Sequence, residues 1–333
     1  IQAYTHFQPA QLTTVGKRAC LWAQDFALDL ETIEQLVTRL PMRGVKGTTG
    51  TQASFVQLFS GLASADQVDD RIRELDRKVC EAMGFDRSIP VSGQTYTRKL
   101  DTWVVSALAD VAGSAAKFAT DLRLLAHERE IEEPFGAKQI GSSAMAYKRN
   151  PMRSERICAL ARFVHSLAGS PRETHGNQWL ERTLDDSANR RLVITEAFLA
   201  TDAILNLVVD ISAGLVVNPA MLRRNMADEL PFMATENVLM RAVEAGGDRQ
   251  ALHERIRVLS LEAAEALKAG RDNDLIERMR ADPELGPHVQ DQLDPGRYVG
   301  RAPAQVDDYL GELEALLARH AHRDGRFTAR VRV

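Results

Sequence analysis

Apolar residues recur at helical spacing through most of the chain. Between residues 14 and 40, Val15, Leu21, Trp22, Phe26, Leu28, Leu30, Ile33, Leu36 and Val37 alternate with charged positions, which predicts an amphipathic helix. Pro41 and the glycine-rich stretch from Gly44 to Gly50 end it. A strongly charged amphipathic helix is expected over residues 65–84, closed by Gly84. Residues 101–127 and 187–217 differ in kind: rich in Ala, Leu and Val, they are apolar around most of their circumference. Such helices must be buried against several neighbours. At about 1.5 Å per residue they run roughly 40 Å, the scale of a large bundle completed by other subunits. A big monomeric helical domain is the alternative.

Pro219 marks a bend after Leu215-Val216-Val217. Beyond Pro231 the pattern shortens to amphipathic segments at 234–245, 249–269 and 273–281, separated by Gly-Gly, Gly-Arg-Asp and Asp-Pro turns. This places a boundary near residue 231, between a helical-bundle domain (1–231) and a smaller helical C-terminal domain (232–333). No period-2 strand pattern persists, so the fold class expected is all-α. The basic tail after residue 321 is expected to fray.

Charge changes the picture little. With 42 Lys+Arg against 46 Asp+Glu, the net charge of −4 excludes a general nucleic-acid-binding surface while leaving room for a local basic pocket. No apolar run is read as long enough to cross a bilayer, so no membrane association is expected. Cys20, Cys80 and Cys158 are too few and too scattered for a disulfide framework or a cysteine zinc site, which suits helix residues in a reducing, cytoplasmic compartment. Ile1-Gln2-Ala3-Tyr4 has no initiator Met, and is read as the start of a trimmed or partial chain.

Three segments between helices are dense in reactive groups. In Thr5-His6-Phe7-Gln8-Pro9-Ala10-Gln11, histidine suits a fixed polar turn at a helix start, as proton donor or as a structural residue bound to a carbonyl. Gly141-Ser142-Ser143-Ala144-Met145-Ala146-Tyr147-Lys148-Arg149-Asn150-Pro151 gathers two hydroxyls, two cations and an amide. Its small residues allow close backbone approach, and Lys148 with Asn150 could hold a carboxylate; a solvated loop is the plain alternative. Glu155 and Arg156 follow on the next helix. In Arg182-Thr183-Leu184-Asp185-Asp186-Ser187-Ala188-Asn189-Arg190-Arg191, a helix N-terminus with a hydroxyl and arginines could cradle phosphate, or the acids could cap the helix and pair with the arginines.

Together these segments resemble the fumarase/aspartase superfamily, whose fingerprint is the Gly-Ser-Ser-x-Met-x-x-Lys-x-Asn-Pro loop. Thr5 to Gln11, Gly47-Thr48-Thr49-Gly50-Thr51-Gln52, Gly93-Gln94-Thr95-Tyr96-Thr97-Arg98, Glu181 to Ser187 and Pro231-Phe232-Met233-Ala234-Thr235-Glu236-Asn237 are similar to its adenylosuccinate lyase family, eukaryotic-type branch. The resemblance runs to about residue 310. It implies a homotetramer with each active site assembled from three subunits. It also implies β-elimination of fumarate from adenylosuccinate and from succinylaminoimidazole-carboxamide ribotide in purine nucleotide biosynthesis. Ser142 is then the general base and His6 the general acid. Lys148 and Asn150 stabilise the extra charge on the substrate carboxylate. Thr5, Gln94, Arg156, Arg182, Ser187 and Arg191 bind substrate, with Arg156 on the succinyl side and Arg182, Ser187 and Arg191 at the nucleotide end. That scheme calls for no metal and no cofactor.

Two departures stand out. Ala146 occupies a position where the family has proline, which implies a looser loop and slower turnover. The family's N-terminal portion, with a second active-site histidine, a Thr-Ser substrate loop and an Arg-Tyr nucleotide contact, is not in this chain, so a longer native product is expected. Rival readings are another fumarate-releasing lyase, such as argininosuccinate lyase or fumarase, and a non-catalytic structural member of the crystallin kind.

Overall fold

The computed structural model describes residues 1–136, 139–290, 293–323 and 329. It opens with a hairpin of β1 (Gln2–Thr5) and β2 (Gln8–Leu12), followed by α1 (Val15–Arg39), α2 (Ala53–Ser60), α3 (Val68–Ala82) and α4 (Lys99–His127). Next come β3 (Ile131–Glu132), α5 (Met152–Leu167), α6 (Ser170–Gly176), α7 (Asp186–Ala213) and β4 (Val216–Val217). The chain continues through α8 (Pro219–Ala227), α9 (Leu230–Glu244), α10 (Arg249–Lys268), α11 (Leu275–Ala281) and α12 (Ala302–His320). The helical class holds. The hairpin and the two-residue pairing of β3 with β4 add short strands to it. Both pairings are too short to show a period-2 pattern. Much of the basic tail lies outside the described residues.

The chain divides into two compact units. One comprises Ile1–Ala23, Leu124–Glu132 and the described residues from Leu215 to Arg323. Its helices α9, α10 and α11 close on a core that includes Ala234, Val238, Leu252, Ile256, Leu275 and Met279. Residue 231 falls inside this unit and inside α9, because proline fits the first turn of a helix, where its missing N–H has no partner to lose. Pro219 likewise opens α8.

The other unit comprises Gln24–Arg123 and Glu133–Gly214. Its core is built on the two apolar helices, α4 and α7, together with α5. Val105, Ala112, Ala115 and Ala119 of α4 are fully buried, as are Ile157, Ala161 and Val164 of α5 and Ala197, Ile204 and Ile211 of α7. The alanine stripes let the backbones approach closely: a His165 ring nitrogen on α5 lies 3.1 Å from the Ala109 carbonyl on α4. Cys158 and Thr120 meet across the same seam at 3.6 Å. All three cysteines are free thiols.

Helix α7 corrects one expectation, since by length and composition it is apolar enough to cross a bilayer. Its polar positions point to a protein core instead, with Arg153 3.1 Å from Asp210 and Asp186 fully buried in ion pairs. Yet Leu192, Phe198, Leu199, Leu205 and Val209 along the same helix are exposed in the single chain.

Candidate functional site

The expected site residues fall in both units and are taken unit by unit. In the first, Thr5 pairs with Gln8 in the ladder, so His6 and Phe7 form the two-residue tip of the hairpin. The prediction of a polar turn is met, but the turn joins two strands rather than starting a helix. Both tip residues have positive φ, 53° and 57°, as a turn matching the twist of the flanking strands requires. Left-handed backbone at two consecutive non-glycine residues is costly and persists only where the surrounding structure holds it. The hairpin is tied at its base. Buried Gln2 donates through Nε2 to the Ala10 carbonyl at 2.6 Å, and Arg18 donates to the Gln2 carbonyl at 2.7 Å. His6 is thereby presented in the open on an anchored scaffold. Tyr4 packs against Phe7, and burial, reinforced by Glu130 and Glu128, pushes its phenol up to about 12.

In the second unit, the loop from Gly141 to Pro151 organises itself. The Asn150 amide donates to the Gly141 carbonyl at 2.8 Å and closes the loop at its base. A side chain at Gly141 would collide with the Lys148 carbonyl, so only glycine permits this closure. The Ser142 hydroxyl oxygen accepts the Met145 N–H at 3.1 Å and the Ala144 N–H at 3.4 Å. Lys148 N–H returns to the Met145 carbonyl at 3.0 Å, which puts Ala146 at the second position of a β-turn. Lys148 is exposed, and so is Arg156 on α5. Asn150 thus shapes the loop, a role the sequence reading did not assign to it. Under the loop, Phe135, Tyr147, Lys148 and Arg149 border a cavity of about 280 Å³.

The other expected residues of this unit sit where the loop before α4 meets the loop before α7. Gln94 N–H donates to the Glu181 carbonyl at 3.1 Å, and a side chain at Gly93 would run into that same Glu181 backbone. Arg43 braces the junction by donating to the Gly47 and Gly93 carbonyls, each at 2.7 Å. Asp76 fixes the Arg43 loop by accepting from Lys46, Ser88 and the Val45 N–H. Burial alone would raise the Asp76 carboxyl, but those hydrogen bonds outweigh it and hold it below the usual carboxylate range.

The junction brings Gln94 and Arg182 together, their side chains 3.5 Å apart. Ser187 and Arg191 follow on the first turns of α7, Ser187 half-buried and Arg191 exposed. The acids divide: Asp185 accepts from Gln178 at 3.2 Å, whereas buried Asp186 pairs with Arg98 at 2.6 Å and faces Arg182 at 3.5 Å. Neither acid caps α7 through its side chain.

Four residues of this junction, Tyr96, Arg98, Asp101 and Arg190, were given no role in the sequence reading of the site. Tyr96 lies under the Arg98 and Arg190 guanidiniums, 4.7 and 5.5 Å from its ring. Asp101 accepts from Tyr96 at 2.7 Å and from Arg190 at 2.5 Å. Burial, with Asp101 beside it, raises the Tyr96 phenol, and the bond to Asp101 raises Arg190 further. An arginine or acid in the first turn of an otherwise apolar helix was the available signal.

The chain also matches known proteins along most of its length. A family model described as lyase covers residues 1–165, and one described as adenylosuccinate lyase C-terminus covers residues 231–309. The chain is 52% identical over 314 residues to the adenylosuccinate lyase of Saccharomyces cerevisiae, covering 93% of this chain and 64% of that protein. It is 46% identical over 328 residues to the adenylosuccinate lyase of Schistosoma mansoni, covering 97% of this chain and 67% of that protein. It therefore spans about two thirds of the length of these relatives. Among solved structures, a fumarate lyase from Mesorhizobium sp. BNC1 superposes with a TM-score of 0.74 at 25% identity, over 93% of this chain and 66% of that one. A 3-carboxy-cis,cis-muconate lactonizing enzyme from Pseudomonas putida shares the fold alone, with a TM-score of 0.76 at 20% identity over 94% of this chain and 66% of that one. With the loop from Gly141 to Pro151, the Gln94–Arg182 junction and the matched C-terminal segment all in one sequence, the chain belongs to the adenylosuccinate lyase family.

Proposed function

We propose that this protein cleaves adenylosuccinate to AMP and fumarate, and succinylaminoimidazole-carboxamide ribotide to aminoimidazole-carboxamide ribotide and fumarate. In this reaction Ser142 removes the proton from the carbon next to a carboxylate, the C–N bond breaks, and His6 protonates the departing nitrogen. The observation that carries the reading is the Ser142 hydroxyl oxygen, which already accepts two backbone N–H groups. Donors aimed at that oxygen favour an alkoxide, and Lys148 on the same loop adds positive charge. Lys148 stabilises the carboxylate as charge builds on it. Asn150 acts with it while holding the loop closed. The nucleotide end falls to Gln94, Arg182, Ser187 and Arg191, with Thr5 and Arg156 completing the contacts.

The active unit in this proposal is a homotetramer, each site drawing its segments from three subunits. The exposed apolar row from Leu192 to Val209 on α7 supports it, because water would otherwise meet that face. The cytoplasm suits the three free thiols.

The test is fumarate release followed by absorbance, with adenylosuccinate and argininosuccinate offered in parallel. Release from adenylosuccinate alone supports the reading; release from argininosuccinate alone moves the protein to the rival lyase. A Ser142→Ala variant as active as its parent would overturn the assignment of the base.

A further inference from the structure

Three arginines converge at the start of α7, and their partners separate them. Arg190 donates through Nε to Asp101 and through Nη2 to Tyr96, each at 2.5 Å. Arg98 is buried and grips one oxygen of Asp186 through both Nε, at 2.7 Å, and Nη2, at 2.6 Å. Arg182 is different. Its Nη2 stands 3.5 Å from the second Asp186 oxygen, its Nη1 3.5 Å from Gln94, and its buried Nε has no hydrogen-bond partner. That second Asp186 oxygen, also buried, accepts no hydrogen bond either. A fully buried carboxylate is thus locked on one side and turned toward an under-engaged guanidinium on the other.

We propose that Asp186, clamped by Arg98, is a positioning residue that sets the Arg182 guanidinium to receive an anionic group of the nucleotide. This rests on the reading of Arg182 as a substrate contact. The carboxylate limits the orientations of a long side chain before ligand arrives, so less conformational freedom is lost on binding. Its distance leaves the arginine's donors available to the ligand. Arg98 holds Asp186 in place without touching substrate, because it is enclosed within the junction.

The experiment compares the parent with Asp186→Asn, measuring KM and kcat for adenylosuccinate and AMP affinity by calorimetry. Asp186→Asn is expected to raise KM and weaken AMP binding by about tenfold, with kcat within about threefold. Arg182→Lys made in that background is expected to add less than it does in the parent, since the two residues act as one unit. Should Asp186→Asn not fold, the double variant Arg98→Met/Asp186→Asn removes both buried charges together and is expected to show the same rise. Unchanged KM and AMP affinity, or effects of Asp186 and Arg182 that simply multiply, would overturn the positioning role. A parent that binds AMP but releases no fumarate would instead overturn the lyase reading, while AMP affinity still judges Asp186.

Discussion

The two groups of candidate site residues in the second unit are built on opposite principles. The loop carrying Ser142 and Lys148 is exposed and held mainly by its own backbone and by Asn150 reaching Gly141. The junction carrying Gln94 and Arg182 rests on buried charge, with Arg98, Asp101 and Asp186 each less than a tenth exposed. A group that must approach a reacting carbon benefits from a loop that can adjust, since local opening is cheap where few buried contacts resist it. A group that recognises a fixed anion benefits from a rigid mount. On the roles proposed for these residues, mutation should therefore separate chemistry from recognition.

The sharpest test is Lys148→Met. Its side chain is exposed, so stability should hardly change while kcat falls by about a thousandfold, equivalent to about 4 kcal/mol. Melting and turnover measured on one preparation show whether the two effects divide; a large drop in Tm would erase the contrast. Arg98→Met should do the reverse and cost about 3 kcal/mol of stability by leaving Asp186 buried without its close partner, read from a denaturant midpoint.

A smaller effect is expected with pH. Because the Asp76 carboxyl is held below its ordinary value of 3.8, its contribution is fully present above that value and is lost as pH falls through the lower folded one. Asp76→Asn should flatten that acid limb and lower stability by about 1 kcal/mol near pH 7, as thermal melts across the range would show. The smallest is Ala146→Pro. The second position of a β-turn accepts proline, so a gain of about 0.5 kcal/mol and a modest rise in turnover are expected. No gain in turnover or in amide protection of the loop would count against a loosened loop.

The long helices were legible because an apolar circumference sustained over seven or eight turns has few other solutions. The core residues Val105, Ala112, Ile204 and Ile211 all come from those two patterns. The Ser142 loop was legible because its dense polar residues are contiguous. The hairpin was not, since the two residues between Thr5 and Gln8 suit a turn into a helix as well as a turn between strands. Asp186 was read as a candidate cap, the common fate of an acid before a helix. Its actual partner, Arg98, lies 88 residues away, and no local pattern encodes that meeting.

The sequence by itself determined the helical class and the family and singled out the stretches dense in reactive groups, because periodicity and contiguous motifs are local properties. Only the tertiary structure decided which charges are consumed in holding the fold and which keep donors unfilled. Arg98, Arg182 and Arg190 are the same residue type within one region, and burial beside an acid at 2.5 to 2.7 Å, or its absence, is what gives them different work.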